Sequence, residues 1–312
     1  MELAVVFLSF TVTLAGLLVY RKLNLRNNFC TGIDINKKNK PTLAEGSGIV
    51  LLLGLWISVI YSFMAGNAPQ TILLLSACPT IFALIGFFDD TKNKFTKKPL
   101  GWTIRAVPIA VFSLGFGYLF TGNALFAVAA GLFIAGLASF QNTFAGLNGW
   151  EVGSGFIISI FTATLVYNTP LFLPAAGLSA AILALLLLNF YPAKVFPGDA
   201  GTLLIGSAIA SIAILSNDLR VQATVALFFL PHAFDFFFLK LRTNPKDMTQ
   251  QKQPPYKLLE NGLLSVPDSQ KPRLDFAKFL MTLFGPMHEK KIVLIAWAVV
   301  FANCLLWASV IR

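Results

Sequence analysis

The sequence predicts an all-α polytopic membrane protein, and three observations carry that expectation. Of 312 residues, 56% are hydrophobic and only 12% are charged, about half the charge of a soluble domain. Mean hydropathy is +0.72, so a single globular core cannot hide the apolar surface and lipid has to cover it. Apolar residues also fall into ten runs, near 2–20, 47–65, 70–88, 101–120, 124–141, 152–167, 171–190, 201–216, 220–240 and 291–311. Each is close to the ~20 residues that cross a bilayer as helix. In lipid, backbone groups have to be satisfied within the segment, which makes each run a helix.

Taken in order, the first run has no basic residue before it, while Arg21, Lys22 and Arg26 follow it. It reads as a span with its N-terminus outside rather than as a signal peptide. The loop after it carries six basic residues, the loop after the third run carries Lys92, Lys94, Lys97 and Lys98, Lys194 follows the seventh, and 240–291 holds ten. With Arg105, one turn into the fourth run, 22 of 24 basic residues lie on one side, and only Arg220 and Arg312 lie opposite. That asymmetry makes the basic loops cytoplasmic and puts both termini outside. The opposite loops, 66–69, 121–123 and 168–170, are minimal, so function is expected on the cytoplasmic face. The chain reads as one integral-membrane domain, 1–312, without internal repeat. Its long loop, 241–290, is basic and proline-rich and long enough to form a structured cap over the active site. Within it, Phe276, Phe279, Leu280 and Leu283 share a helical face, which predicts an amphipathic interfacial helix.

The net charge of +10 does not indicate nucleic acid, because the basic residues sit in loops between apolar spans rather than on a soluble face. Cys30, Cys78 and Cys304 are odd in number and far apart, which supports neither disulfides nor a zinc site. With only His232 and His288, a histidine-rich metal site is excluded.

Four polar islands interrupt the apolar pattern on the cytoplasmic side: 32–37 with 40–45, Asp89-Asp90 with Lys97-Lys98, 142–148, and 196–199. Adjacent carboxylates at a lipid boundary, as at Asp89-Asp90, are costly unless a cation or donors satisfy them. They suit a divalent metal or a proton transfer, or simply a solvated helix end. Asp199, between Gly198 and Gly201, opens the eighth run. A helix N-terminus there attracts anions, and Asp199 can equally serve as its cap. Asn142 offers a hard oxygen donor, and Asn148 can make the paired hydrogen bonds of a nucleobase edge or form an ordinary Asn-Gly turn. Lys97 and Lys98 can meet a diphosphate or anchor the span. His232 and Asp235, three apart, share a helical face as a functional or a structural pair. Phe196, beside Asp199, offers a flat ring on which a base can stack.

The order and spacing of these islands resemble the polyprenyl-phosphate N-acetylhexosamine-1-phosphate transferases, glycosyltransferase family 4. Gly32-Ile33-Asp34-Ile35-Asn36-Lys37 followed by Glu45, and Asn142 to Gly149 with Glu151 and Gly153, are most similar to the archaeal and eukaryotic N-acetylglucosamine branch. The bacterial peptidoglycan branch instead has aspartates at the positions of Ala145 and Asn148, and a histidine cluster in the last cytoplasmic loop. The resemblance implies that Asn142 and Asp199 hold Mg²⁺, with Mn²⁺ as an alternative. It implies that Lys98 contacts a diphosphate, with Lys97 the other candidate, and that Asp89 and Asp90 act near the metal and the acceptor phosphate. Phe196 and Asn148 would hold uracil, Ile35 would contact the base through its backbone, and Glu45 would bind ribose hydroxyls. Asp34, Lys37, His232, Asp235, Arg242 and Lys257 complete the candidate substrate contacts. The sequence lacks the Arg-His-Arg cluster of the eukaryotic enzymes, for which Arg242, Lys252, Lys257 and Arg273 are candidate replacements.

The implied reaction transfers N-acetylglucosamine-1-phosphate from UDP-N-acetylglucosamine to dolichyl or another polyprenyl phosphate, releasing UMP, as a first step of lipid-linked oligosaccharide synthesis for protein glycosylation. A bacterial-type transferase acting on undecaprenyl phosphate is the nearest alternative, and a transporter the remote one. A transporter fits poorly, because the acidic groups collect at one face rather than at the midplane. The implied partners are the nucleotide sugar, the lipid phosphate and membrane lipid, with no nucleic acid, and the family allows a homodimer. The expected location is the plasma membrane with a cytoplasmic active site, or the endoplasmic reticulum in a eukaryote.

Overall fold

The computed structural model describes residues 2–66, 69–96, 102–144, 146–243, 255–267 and 273–311. Each of the ten apolar runs is helical: α1 (Glu2–Asn27), a 3₁₀ turn (Ser47–Val50) leading into α2 (Leu51–Met64), α3 (Pro69–Thr96), α4 (Trp102–Thr121), α5 (Ala124–Thr143), α6 (Trp150–Leu165), α7 (Phe172–Asn189), α8 (Gly198–Leu215), the bent pair α9 (Leu219–Phe228) and α10 (Leu230–Phe234), and α12 (Glu289–Val310). Among the described residues, seven helices are long and apolar enough to cross a membrane, and the bent pair makes an eighth. Among the described residues, the apolar helical stretches 105–121 in α4 and Trp150–Leu165 are shorter. The chain is an integral membrane protein. The 49° bend between α9 and α10 falls at Pro231, which has no N–H to donate to the preceding turn. A π-helical turn, Asp235–Lys240, continues α10.

The most buried span is α8, and it packs against α3 and α5. Its sequence explains that position. Ala200, Gly201, Gly206, Ser207, Ala208 and Ala210 let neighbouring backbones come close, which is how helices associate where lipid removes the hydrophobic drive between them. One close approach is at Gly86 of α3, where a Cβ would overlap the backbone of Asp199 and Ala200.

Two small hairpins were not expected from the sequence. In the first, β1 (Thr31–Ile33) pairs antiparallel with β2 (Thr42–Ala44). It also binds the strand-like segment before α8, since Phe196 N–H donates to Ala44 O at 2.8 Å and Ser47 N–H to Phe196 O at 3.1 Å. In the second, β3 (Lys257–Leu258) pairs with β4 (Leu264–Ser265) within the long loop. The predicted amphipathic helix is present as α11 (Phe276–Phe284), with Asp275 as its N-cap accepting Lys278 N–H at 2.8 Å. Its buried face is rotated from expectation. Phe276, Ala277, Leu280 and Met281 are buried, whereas Leu283 is 59% exposed.

A chain of contacts helps fasten the long loop to the bundle. Phe276 N–H donates to Asp235 Oδ1 at 2.7 Å. Asp235 Oδ2 pairs with Lys240 at 2.7 Å, and Lys240 donates in turn to the carbonyl of Thr143 at the end of α5. Beside it, the phenol of Tyr256 is pushed above its ordinary ionisation range, first by burial and then by Asp275.

Candidate active site

The polar islands meet at the start of α8. A cleft of about 250 Å³ is lined by Glu45, Asn142, Asn148, Phe196 and Asp199, together with Glu151, Asn189 and Thr202. The five candidates in that set come from three segments, the one after β2 (Glu45), the α5–α6 connection (Asn142 and Asn148) and the entry to α8 (Phe196 and Asp199), which the bundle draws to one point. An adjoining, more apolar cavity of about 410 Å³ runs between α4, α5 and α8, lined by Arg105, Ile109, Ala135, Asn142 and Leu203 among others. Asn142 borders both.

The two adjacent aspartates do different things. Asp90 accepts the backbone N–H groups of Asp199 at 2.9 Å and Ala200 at 3.1 Å. It therefore caps α8 from another helix, satisfying donors that the first turn leaves open and opposing the positive end of the helix. Gly198, at φ 65°, takes the turn that brings these N–H groups to Asp90, and a Cβ there would strike the carboxylate. The anion-attracting end expected of α8 is thus occupied by the protein's own side chain. Asp89 instead turns to Arg105, whose Nη1 lies 3.0 Å from Asp89 Oδ2 and 2.5 Å from Asp199 Oδ2. One guanidinium joins the two carboxylates.

A second network braces the far side of the cleft. Asn148 Nδ2 donates to Asp34 Oδ2 at 2.8 Å, and Asn148 N–H donates to Glu289 Oε1 at 2.8 Å. Lys37 pairs with Asp34 at 3.2 Å and with Glu289, and stands over the Tyr191 ring at 4.5 Å. Asn189 ties the walls together, accepting Gly149 N–H at 3.1 Å and donating to Val195 O at 3.0 Å.

The remaining candidates lie elsewhere. Ile35 is 44% exposed on the hairpin loop, outside the cleft lining. His232 and Asp235 do not pair. His232 is 1% exposed, stacked at 3.9 Å on Phe144, and among the described residues neither ring nitrogen has a hydrogen-bond partner. Asp235 is committed to α11 and Lys240. Both are buried, and the π turn carries Asp235 towards α11. Arg242 lies 5.7 Å over the Phe238 ring, and Lys257 is exposed on β3. Lys97, Lys98, Ala145 and Lys252 fall outside the described residues.

Sequence reasoning missed Arg105 and Glu289 as site residues. Arg105 is a lone charge inside an apolar run, itself the signal of a functional or paired group in a membrane helix, whereas Glu289 is masked by the adjacent Lys290 and Lys291. Among the described residues, no group of three or more His, Cys, Asp or Glu side chains could hold a metal unaided. The hard-oxygen pair Asn142 and Asp199 at the cleft fits a cation such as Mg²⁺ that takes its other ligands from water and phosphate.

Comparison with known proteins agrees with this geometry. Residues 72–217, which span both aspartates, Arg105, Asn142, Asn148 and Asp199, match the model of glycosyl transferase family 4. The chain is 31% identical over 297 residues to a Sulfolobus acidocaldarius protein, covering 86% of this chain and 84% of the relative. It is 30% identical over 236 residues to a Saccharolobus solfataricus protein, covering 70% and 71%. Both relatives are provisionally named UDP-N-acetylglucosamine–dolichyl-phosphate N-acetylglucosaminephosphotransferase. The phospho-N-acetylmuramoyl-pentapeptide-transferase of Carboxydothermus hydrogenoformans is 29% identical over 214 residues, covering 59% and 64%. With a helical membrane bundle, a family match that spans the cleft residues and relatives at this identity along most of its length, the chain belongs to glycosyl transferase family 4.

Proposed function

We propose that this protein transfers N-acetylglucosamine-1-phosphate from UDP-N-acetylglucosamine to a dolichyl or other polyprenyl phosphate at the cytoplasmic face of the membrane. The observation that carries the proposal is the junction at Asn142. A polar cleft of a size and lining suited to a nucleotide opens there beside an apolar cavity between membrane helices. A water-soluble donor and a lipid acceptor can therefore reach the same atoms. The names of the archaeal relatives support the same substrates.

In this reading an oxygen of the lipid phosphate attacks the β-phosphorus of the donor. The bond from that phosphorus to the bridging oxygen breaks, UMP leaves with the oxygen, and a lipid-linked sugar diphosphate remains. Both reactants are anionic, so the protein's task is to offset repulsion and align the line of attack. Arg105, at the border of the apolar cavity, meets the diphosphate, and Lys98 adds a second charge. Phe196 stacks on the base, Asn148 hydrogen-bonds its edge, and Glu45 accepts from ribose hydroxyls. Asn142 and Asp199 would hold Mg²⁺, which neutralises charge on the diphosphate when bound. Asp89 keeps Arg105 in place, while Asp90 keeps α8 in place. The segment 241–290 caps this site.

The test is UMP release by purified protein in detergent, with dolichyl phosphate, Mg²⁺ and a panel of UDP-sugars. Release that needs both the lipid phosphate and UDP-N-acetylglucosamine is expected. Release only with a UDP-muramoyl-pentapeptide donor would move the protein to the peptidoglycan branch, and no release with any donor and either lipid would refute the reaction.

A further inference from the structure

The cleft side of Asn148 carries more information than a base contact. The Asn148 side chain is nearly buried, at 6% exposure, and its carboxamide can be seated two ways, with oxygen and nitrogen exchanged. Asp34 decides between them. Asp34 Oδ1 accepts Asn36 N–H at 3.2 Å, and Oδ2 accepts Asn148 Nδ2 at 2.8 Å and pairs with Lys37 at 3.2 Å. A carboxylate with donors on both oxygens offers only acceptors. The nitrogen of Asn148 must face it, and the oxygen must face away. The backbone of Asn148 is held separately by Glu289, so the residue cannot swing to undo this choice. Among the described residues nothing donates to Asn148 Oδ1. That oxygen is not among the atoms shut off from solvent, so it opens on the cleft that Asn148 lines.

We propose that Asp34 is a specificity-determining positioning residue. By fixing the Asn148 amide it presents an acceptor to the cleft, which selects a pyrimidine bearing an N3–H donor, of the uracil type, over one bearing an N3 lone pair, of the cytosine type. The inference rests on the nucleotide reading of the cleft. An amide free to turn would serve either base, since its nitrogen could donate to the cytosine N3. With the turn blocked, cytosine meets lone pair against lone pair, and a buried polar group left unpaired is what gives hydrogen-bonding sites their discrimination.

Equilibrium binding of UMP, CMP and N3-methyl-UMP to the purified full-length protein in detergent tests this. The wild type is expected to prefer UMP over both others by about tenfold or more. Asp34→Asn, nearly identical in shape, lets the amide turn and is expected to bring the UMP-to-CMP ratio close to one. Loss of fold weakens both nucleotides alike, so the ratio separates positioning from stability. The N3-methyl-UMP comparison needs no variant. A wild type that binds CMP as tightly as UMP, or an Asp34→Asn protein with the wild-type ratio, overturns the inference and leaves the nucleotide cleft standing. A wild type that binds none of the three overturns the nucleotide reading itself, and this inference with it.

Discussion

At the scale of single residues, Arg105 carries the heaviest electrostatic duty. It joins Asp89 and Asp199 across three helices at the border of the apolar cavity. Arg105→Ala is expected to lower the rate of UMP release by about 10²–10³-fold, the usual consequence of removing a preorganised charge from a transfer site. Arg105→Lys should fall between, because an ammonium keeps the charge but loses the planar guanidinium that sets one nitrogen between two carboxylates. Equal rates for all three proteins would remove Arg105 from the reaction. The neighbouring aspartates should separate by assay. Asp90→Ala strips the cap from α8 and is expected to destabilise the protein by about 1–2 kcal/mol, read as a lower melting temperature in detergent. Asp89→Asn should leave melting nearly unchanged. No sequence pattern could have divided them: Asp89 and Asp90 are adjacent and chemically identical, and only the packing of α3 on α8 gives one to the backbone and the other to Arg105. Arg105 was hidden for a related reason. Inside an apolar run it reads as an orientation signal until a partner is seen across the bundle.

At the scale of elements, the connection from α11 through Asp235 and Lys240 to the end of α5 links the cap to the helix end that carries Asn142. Asp235→Ala is expected to raise hydrogen–deuterium exchange in Phe276–Phe284 while leaving exchange in α8 unchanged, since local opening follows local contacts. Unaltered exchange in α11 would mean that apolar packing alone seats the helix. The helices themselves were legible because each apolar run is long enough to outweigh its ends. The hairpins were not. Strands of two or three residues are too short to show alternation, and what stabilises β1 and β2 is pairing with distant Phe196. The rotation of α11 has a similar origin. Periodicity alone put four residues on one apolar face, but the N-cap at Asp275 and the bond to Asp235 set the angle at which the helix docks.

At the scale of the whole molecule, charge asymmetry predicts which side each loop faces. The three native cysteines are buried, so a single introduced thiol can report its own position. Lys38→Cys is expected to react with a membrane-impermeant maleimide only in inverted vesicles, and Asn168→Cys only in right-side-out ones. The opposite result would reverse the orientation and place the cleft outside. The meeting of Asn142, Asn148, Phe196 and Asp199 at one cleft was foreseeable in outline, because each sits where an apolar run starts or stops on the same side. Their exact neighbours were not, since Glu289 comes to Asn148 from 141 residues away.

The meeting of α3 and α8 has a consequence for how such an enzyme can change. Around Asp199 the packing leaves no room for an added atom at either of two glycines: Gly86 lies against the peptide of Asp199, and Gly198 against the Asp90 carboxylate that caps α8. Neither glycine can take a larger side chain, so substitution there can damage the floor but hardly retune it. The opposite rim is built from side chains on a short hairpin and the start of the last helix, Asp34, Lys37 and Glu289, and these can be swapped singly. Changes in what the cleft accepts would arise by edits to the rim, while the floor at Gly86 and Gly198 stays as it is.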